Sequence, residues 1–357
     1  MGARASDGWP LPVRHPAEAG RARAAPGVKA VAATGIETMI ALHGGDPVQL
    51  LGRVGIDPAA IGCPDTRLPL DRYCGLFELA ARELHIDSLG LRYGLRHARH
   101  LLGPLSEAAF NSPTLGAALA AVSRHFPVLQ DQSVVSLRVE AGEVTFAYQI
   151  RDGRIVARRQ DAELSIGAFL SLMRAAAGER WRPTEIMFEH APPADRRAHD
   201  ALLGAPVYFL AGCNAIRFPR DCLDAFMPSP DVAALPAIER RLSDAARDVR
   251  PDDFIGRVHQ EVRAGLANGT AALPAVAARL GLAEQTLYRR LRAHNVQYSD
   301  IVRDLRHEMA RLLLDLPHLS LTDIALLLGY SELSAFTRAF HQWTGLSPSA
   351  FRQRRVV

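Results

Sequence analysis

Residues 324–352 read IALLLGYSELSAFTRAFHQWTGLSPSAFR, and this stretch decides how the last quarter of the chain folds. Apolar side chains recur at helical spacing on both sides of one glycine, at Ile324, Ala325, Leu328, Phe336 and Phe340. Gly329 is the residue type that ends a helix in the left-handed conformation, and Ser331 is predicted to cap the helix that follows. The stretch therefore predicts a short helix, a tight turn and a second helix.

The same pattern occurs earlier in the chain. One apolar stripe is formed by Leu273, Val276, Ala277 and Leu280, and the next by Leu282, Leu287 and Leu291. Gly281 lies between the two stripes, where a left-handed residue would end the first helix. These residues predict a second helix-turn-helix unit upstream of the first.

A long helix is predicted between the two units. Its apolar positions are Ile301, Val302, Leu305, Met309, Leu312 and Leu313, and it ends near Pro317. At about 1.5 Å per residue such a helix spans roughly 25 Å. Because successive major grooves on one face of DNA lie about 34 Å apart, one chain would be able to fill both grooves.

The predicted second helix of each unit exposes side chains that can contact DNA. In the first unit they are Gln285, Tyr288, Arg289 and Arg292, and in the second they are Glu332, Ser334, Thr337 and Arg338. Arginine can bond guanine, and glutamine adenine, through two hydrogen bonds, while tyrosine can contact a phosphate or a thymine methyl group. The alternative is a solvated surface, which is the usual state of an arginine-bearing helix face.

The positive charge of the chain is concentrated in the same region. The 357 residues carry a net charge of +4, and residues 270–357 hold eleven arginines against seven acidic residues. This segment therefore accounts for the whole excess, and the remainder of the chain is neutral. Such asymmetry favours a polyanionic partner for the C-terminal segment.

The C-terminal sequence resembles the DNA-binding domain of AraC-type (AraC/XylS) regulators from residue 269 to residue 355. The resemblance rests on I-A-x-x-x-G-[FY]-S at 324–331, F-x-R-A-F at 336–340 and G-x-S-P-x-x-[FY]-R at 345–352. It implies that the first recognition helix presents Gln285, Tyr288 and Arg289 to the bases. It implies the same role in the second recognition helix for Leu333, Ser334, Ala335 and Arg338.

The preceding sequence alternates helical and strand patterns, which predicts an α+β domain. Helices are expected around 35–54, 71–84, 115–125 and 162–176, and strands at 134–140, 144–150, 185–189 and 215–218. The runs GPLSEAAFNSPTLGAALAAVSRHFPVL (103–129), IMFEHAPP (186–193) and GAPVYF (204–209) resemble the arabinose-binding-type N-terminal domain of some AraC-type regulators. That resemblance implies an effector pocket and dimer contacts, and leaves the identity of the effector open.

The chain length predicts more than one domain. We expect a disordered tail at 1–28, an effector-binding and dimerisation domain at 29–238, a helical linker at 239–268 and the DNA-binding domain at 269–357. No apolar run is long enough for a membrane span, and the four dispersed cysteines are typical of reduced thiols in the cytoplasm.

Enzymatic functions find little support in the sequence. Dinucleotide, Walker and zinc-protease motifs are absent, since His307-Glu308 has Arg311 where a second histidine would stand. His85, His97 and His100 are interleaved with arginines, which disfavours a cation site. A zinc-dependent DNA-alkyl-transfer protein would need clustered cysteines, and a DNA-packing protein would need much more positive charge. We therefore predict no enzyme activity, cofactor or metal.

Taken together, the patterns and the resemblance predict a homodimeric regulator that binds double-stranded promoter DNA. They predict that it responds to a small-molecule effector, and the resemblance favours activation, with RNA polymerase as a partner.

Overall fold

The computed structural model describes residues 26–247, 254–266 and 268–355. We call residues 26–247 the N-terminal part and residues 254–355 the C-terminal part. Residues 1–25 of the predicted tail lie outside the described residues. The predicted end of the tail at residue 28 is wrong. Gly27–Lys29 form strand β1, which pairs antiparallel with β2, Arg67–Pro69, and Val28 is fully buried. The strand is anchored by a distant side chain, because Gly27 N–H donates to the Asp131 carboxylate at 3.0 Å.

Ten α-helices occur in the described N-terminal part. They are α1 Ile36–Leu42, α2 Pro47–Arg53, α3 Pro58–Ile61, α4 Leu70–Glu83, α5 Leu89–Leu101, α6 Pro104–Asn111, α7 Leu115–Leu129, α8 Arg159–Ala177, α9 Arg197–Leu203 and α10 Leu235–Ala246. The single helix expected at 35–54 is two helices, α1 and α2. The chain breaks between them at Gly44, whose φ of +82° is incompatible with a continuing helix.

A five-stranded sheet packs against these helices. Its strands are β3 Ser133–Glu140, β4 Glu143–Ile150, β5 Glu185–Met187, β6 Val207–Tyr208 and β7 Asn214–Pro219, in the order β3-β4-β7-β5-β6. Only β5 and β6 are parallel. Ala141 and Gly142, both with positive φ, form the hairpin turn that the sequence predicted. Alternate residues of β4, from Val144 to Ile150, are buried in the core, so one face of the sheet points away from it.

Helices α5 and α8 pack with their backbones in contact. Gly90 and Gly94 of α5 face the carbonyl oxygens of Gln160 and Leu164, and a Cβ on either glycine would overlap those oxygens. Gly167 of α8 makes the reciprocal approach, since its Cβ would lie 2.8 Å from the Leu91 carbonyl oxygen. Three glycines thus fix the spacing of the two central helices.

The C-terminal part is helical throughout its described residues. It consists of α11 Phe254–Leu266, α12 Leu273–Arg279, α13 Glu284–Ala293, α14 Tyr298–Leu314, α15 Leu321–Leu327, α16 Leu333–Thr344 and α17 Pro348–Arg355. The chain is therefore an α+β unit followed by an all-α unit with two helix-turn-helix elements joined by a long helix, as the sequence predicted. Among the described residues, no helix has the length and apolarity needed to cross a membrane.

Two separate apolar clusters support the C-terminal helices. The first core contains Val258, Val262, Leu266, Val276, Ala277, Leu287, Leu291, Ile301 and Leu305. The second core contains Ala310, Leu314, Ile324, Ala325, Leu328, Phe336 and Phe340. Helix α14 contributes its first half to the first core and its second half to the second.

The N-terminal part contacts α11 through residues 151–158. Gly153 N–H donates to the Gly256 carbonyl at 3.1 Å, and Val156 belongs to the first core. Nearby, Arg158 Nε donates to Glu189 Oε1 at 2.9 Å, and Arg263 Nη1 of α11 lies 3.2 Å from Glu189 Oε2. Burial alone would raise the pKa of Glu189, but these two guanidinium groups outweigh it and lower the pKa to about 2. One buried carboxylate therefore links the two parts.

We expect Gly94→Ala to destabilise the protein by about 3 kcal/mol, because overpacking would push α5 away from α8. Gly75→Ala is the matched control, since a Cβ at Gly75 in α4 would meet only Val54, at 3.9 Å. That variant should gain about 0.5–1 kcal/mol from its better helix propensity. Urea unfolding of the full chain compares them, and equal stabilities for the two variants would contradict the close-packed helix pair.

We expect Glu189→Gln to lower the free energy of unfolding by about 3–5 kcal/mol at pH 7, because Arg158 and Arg263 lose their shared counter-charge. Since the pKa of Glu189 lies below its ordinary value, the wild-type contribution is complete above pH 4.5 and disappears as the pH falls towards 2. Asp244→Asn, which removes an exposed ion pair with Arg247, should change the stability by less than about 1 kcal/mol. A Glu189→Gln protein as stable as this control would show that the ion pairs of Glu189 do not contribute to the stability of the chain.

Candidate nucleic-acid interface

The first helix-turn-helix unit consists of α12, a turn at residues 280–283, and α13. Gly281 has φ +66°, so the left-handed residue predicted to end α12 is present. Leu287 and Leu291 anchor α13 in the first core. This packing leaves the opposite side of α13 facing outward.

The outward side of α13 carries the four residues predicted for the first recognition helix. Gln285, Tyr288, Arg289 and Arg292 are all exposed. The Arg292 guanidinium lies 5.9 Å from the centroid of the Tyr288 ring. Gln285 and Arg289 make no hydrogen bond or ion pair with any residue that the structure describes. Their hydrogen-bonding groups are therefore available to an external partner.

The second unit consists of α15, a turn at Gly329 with φ +74°, and α16. Helix α15 begins with a capping box, in which Ser320 Oγ accepts from Asp323 N–H at 3.1 Å and the Asp323 carboxylate accepts from Ser320 N–H at 3.2 Å. The prediction that Ser331 caps α16 is wrong. The N-cap residue is Glu332, one position later, and its side chain makes no capping bond.

Helix α16 presents fewer polar groups than α13. Ser334 and Arg338 are exposed, whereas Leu333 and Ala335 are half-buried. Leu333 also packs against the second core, so only part of its side chain remains accessible. The structure thus brings all four predicted residues of this helix to one region but gives only two of them free polar groups.

Many of the remaining C-terminal arginines already bond to other residues of the chain. Arg279 Nε donates to Glu261 at 2.8 Å, Arg303 pairs with Asp300 and Asp304, and Arg306 and Arg352 donate to backbone carbonyls. Arg290 stacks over the Phe254 ring at 5.5 Å. The charge count of the sequence gave no sign of these internal bonds. They leave the exposed guanidinium groups of Arg289, Arg292 and Arg338 as the outward cations of the two recognition helices.

Helix α14 determines how the two outward faces are placed. Its 17 residues correspond to a length of roughly 25 Å. Burial, followed by the neighbouring Asp304 carboxylate, raises the pKa of the half-buried Glu308 to about 7. Near neutral pH this residue is therefore only partly ionised, which reduces the negative charge of the helix that joins the recognition helices.

Two helix-turn-helix units on one shared helix, each with an exposed polar recognition helix, define a DNA-binding transcription regulator. Comparison with known proteins agrees with this class. A model of the arabinose-binding domain of AraC transcription regulators, N-terminal, matches residues 44–227, and a helix-turn-helix domain model matches residues 276–354. The chain belongs to the AraC family of transcription regulators, as the sequence resemblance predicted.

Similar regulators occur in several bacteria. The HTH-type transcriptional regulator VirS of Mycobacterium tuberculosis is 30% identical over 321 residues, covering 87% of this chain and 91% of VirS. The ornithine utilization regulator of Pseudomonas aeruginosa is 25% identical over 317 residues, covering 88% and 93% of the two chains. The crystal structure of the transcriptional regulator CdpR from Pseudomonas aeruginosa matches at 21% identity with a TM-score of 0.37, covering 85% of this chain and 96% of CdpR.

We expect Ala283→Ser to stabilise the C-terminal part by about 1 kcal/mol, because Ala283 is the N-cap residue of α13 and offers no side-chain bond. Its φ of −70° and ψ of 146° already suit a capping serine. Ser320→Ala, which removes an existing cap, should cost about the same amount. Thermal unfolding of the full chain compares the two variants. A destabilised Ala283→Ser protein would mean that α13 does not begin at Glu284.

Proposed function

We propose that α13 and α16 enter two successive major grooves of double-stranded promoter DNA. The observation that carries this proposal is the sharing of α14 by the two apolar cores. Because one helix is packed into both cores, the two recognition helices are held in a fixed arrangement. The roughly 25 Å length of α14 is comparable with the spacing of about 34 Å between successive major grooves.

The proposed roles of the two helices differ. Gln285 and Arg289 have the hydrogen-bonding groups for two-bond contacts with a base, while Tyr288 and Arg292 suit phosphate or methyl contacts. In α16, Ser334 and Arg338 suit contacts with the phosphates of the DNA backbone, and Leu333 and Ala335 offer only apolar surface to the bases. Sequence selection therefore comes mainly from α13, and α16 contributes mainly affinity.

We further propose that the chain acts in the cytoplasm as a homodimeric, effector-responsive activator that contacts RNA polymerase, without enzyme activity of its own. Residues 29–238 would bind the effector and dimerise, and residues 269–357 would bind DNA. Helix α11 lies in the proposed linker, 239–268, and packs into the first core, so effector binding has a direct route to the DNA-binding helices.

The test measures binding of the full chain to a library of randomised operators at several salt concentrations. Arg289→Ala should lose roughly 10- to 100-fold discrimination at one base pair, because a two-bond base contact contributes about 1–3 kcal/mol. Arg338→Ala should weaken binding to all operator sequences by a similar factor. It should also reduce the slope of the logarithm of the binding constant against the logarithm of the salt concentration by about 1.

Arg240→Ala, an exposed arginine on α10, serves as the control and should leave binding unchanged. If Arg289→Ala binds every operator more weakly by the same factor and keeps its base preferences, a residue other than Arg289 selects the sequence. Absence of specific binding by the wild-type chain would contradict the proposed function itself.

A further inference from the structure

A cleft of about 540 Å³ lies within the C-terminal part, where the two helix-turn-helix units meet the end of α11. It is lined by Leu266 of α11, by residues 269–272 before α12, by the first half of α14, and by Gly329, Tyr330 and Trp343 of the second unit. Its volume falls in the range of small-molecule sites, roughly 300–1,000 Å³. A molecule bound in this cleft would therefore contact α11 and both units at once.

One wall of the cleft exists because the second unit approaches α11 through its backbone. A Cβ on Gly329 would lie only 2.6 Å from the Leu266 carbonyl oxygen, so a larger residue would push the two segments apart. Helix α14 holds the same turn, because Arg306 Nε donates to the Leu328 carbonyl at 2.9 Å and Nη2 to the Gly329 carbonyl at 3.3 Å. The cleft is thus fixed by the packing of the two units.

Three aromatic side chains line the cleft, namely Tyr298, Tyr330 and Trp343. Each ring is held in place by a neighbour. The Tyr298 hydroxyl donates to the Ala271 carbonyl at 2.7 Å, the Arg306 guanidinium lies 4.6 Å from the centroid of the Tyr330 ring, and the Trp343 and His307 ring centroids are 5.5 Å apart. All three aromatic residues are half-buried, so part of each ring surface remains accessible to another ring.

The charged side chains of the lining already have partners. No aspartate or glutamate is among the described residues that line the cleft. Arg303 pairs with Asp300 and Asp304 on its own helix, and Arg306 donates to the two carbonyls of the turn. A cation would be repelled by the two arginines, and an anion would have to compete with their present partners. The lining therefore favours an uncharged ligand.

Uncharged hydrogen-bonding groups are available for such a ligand. The Trp343 indole N–H and the Ser299 hydroxyl both belong to lining residues and make no hydrogen bond with any residue that the structure describes. Burial raises the pKa of Tyr298 to about 12, so its hydroxyl also stays uncharged near neutral pH. Val302 and Leu266 add apolar surface. A mostly apolar wall with a few polar groups is the usual composition of a small-molecule site.

We propose that this cleft binds a small, uncharged aromatic molecule that stacks on the accessible ring surfaces and accepts a hydrogen bond from Trp343 or Ser299. The site lies outside residues 29–238, so it is a second small-molecule site, separate from the proposed effector domain. Since the ligand contacts α11 and both units, its binding stabilises their present arrangement. Helix α11 also carries Arg263, which pairs with Glu189, so the stabilised helix is the one that contacts the N-terminal part.

The experiment titrates the full chain, labelled with 5-fluorotryptophan, with 2-naphthol and follows the fluorine NMR spectrum. The chain has three tryptophans, and the resonance of Trp343 is the one that is missing from Trp343→Phe. We expect 2-naphthol to shift this resonance saturably, to leave that of Trp181 in the N-terminal part unchanged, and to raise the unfolding temperature.

Two related compounds test the proposed ligand class. Decahydro-2-naphthol has the same carbon skeleton without aromatic rings, and it should bind about tenfold more weakly because stacking is lost. The anion 2-naphthoate keeps the rings but adds a charge, and it should also bind more weakly than 2-naphthol. Equal or tighter binding of either compound would overturn the proposed selection of an uncharged aromatic ligand.

A blocking variant tests the location of the site. Ser299→Phe adds a ring to the lining at an exposed position of α14 and should abolish the saturable shift of Trp343, whereas Ser243→Phe, at an exposed position of α10, should bind 2-naphthol like wild type. The proposal is overturned if 2-naphthol does not shift the Trp343 resonance of the wild-type chain, or if Ser299→Phe binds it equally well.

The wild-type titration decides the proposal even if Ser299→Phe fails to fold. Because ligand binding to the cleft does not require DNA, a chain that binds 2-naphthol but no operator would contradict the proposed function alone. A chain that binds operator but not 2-naphthol would overturn the cleft assignment alone.

Discussion

The placement of α14 in two hydrophobic cores is the constraint on which the C-terminal structure depends. Ile301 and Leu305 pack its first half into the first core together with α11, α12 and α13, and Ala310 and Leu314 pack its second half into the second core together with α15 and α16. Neither helix-turn-helix unit can tilt without repacking a fully buried side chain of this helix. Since cores are close-packed and resist small displacements, the two recognition helices behave as parts of one rigid body.

The connection between the two parts of the chain follows a different principle. The C-terminal cores are apolar, whereas the contact with the N-terminal part combines the apolar side chain of Val156 with a buried ionic link, Glu189 shared by Arg158 and Arg263. Buried charges of this kind add less stability than apolar packing but tolerate few alternative arrangements. Losing either guanidinium would leave Glu189 buried with only one partner, so the link favours the arrangement in which both guanidinium groups are in place.

Local patterns in the sequence were sufficient for the helix-turn-helix units and for the residues that face outward from α13. Apolar spacing and helix-ending glycines such as Gly281 and Gly329 involve residues that are close together in the chain. The sequence alone is therefore enough to recognise them. The approach of α8 to Gly90 and Gly94 depends on residues about seventy positions apart, and no local pattern signals it. The same holds for Arg306 and Arg352, which donate hydrogen bonds to backbone carbonyls 22 or more positions away. The position of the α16 cap was wrong by one residue because the capping preference of serine does not by itself fix where a helix starts.

The valine that the N-terminal part inserts into the first core bears on how the chain folds during synthesis. Ribosomes release the N-terminal part first, and such units generally fold as they emerge. Val156 is then already part of a folded unit before the residues of α11 have been made. When α11 appears, Val258 and Val262 find an apolar partner already in place. The N-terminal part of the molecule thus serves as a template on which the C-terminal part is assembled.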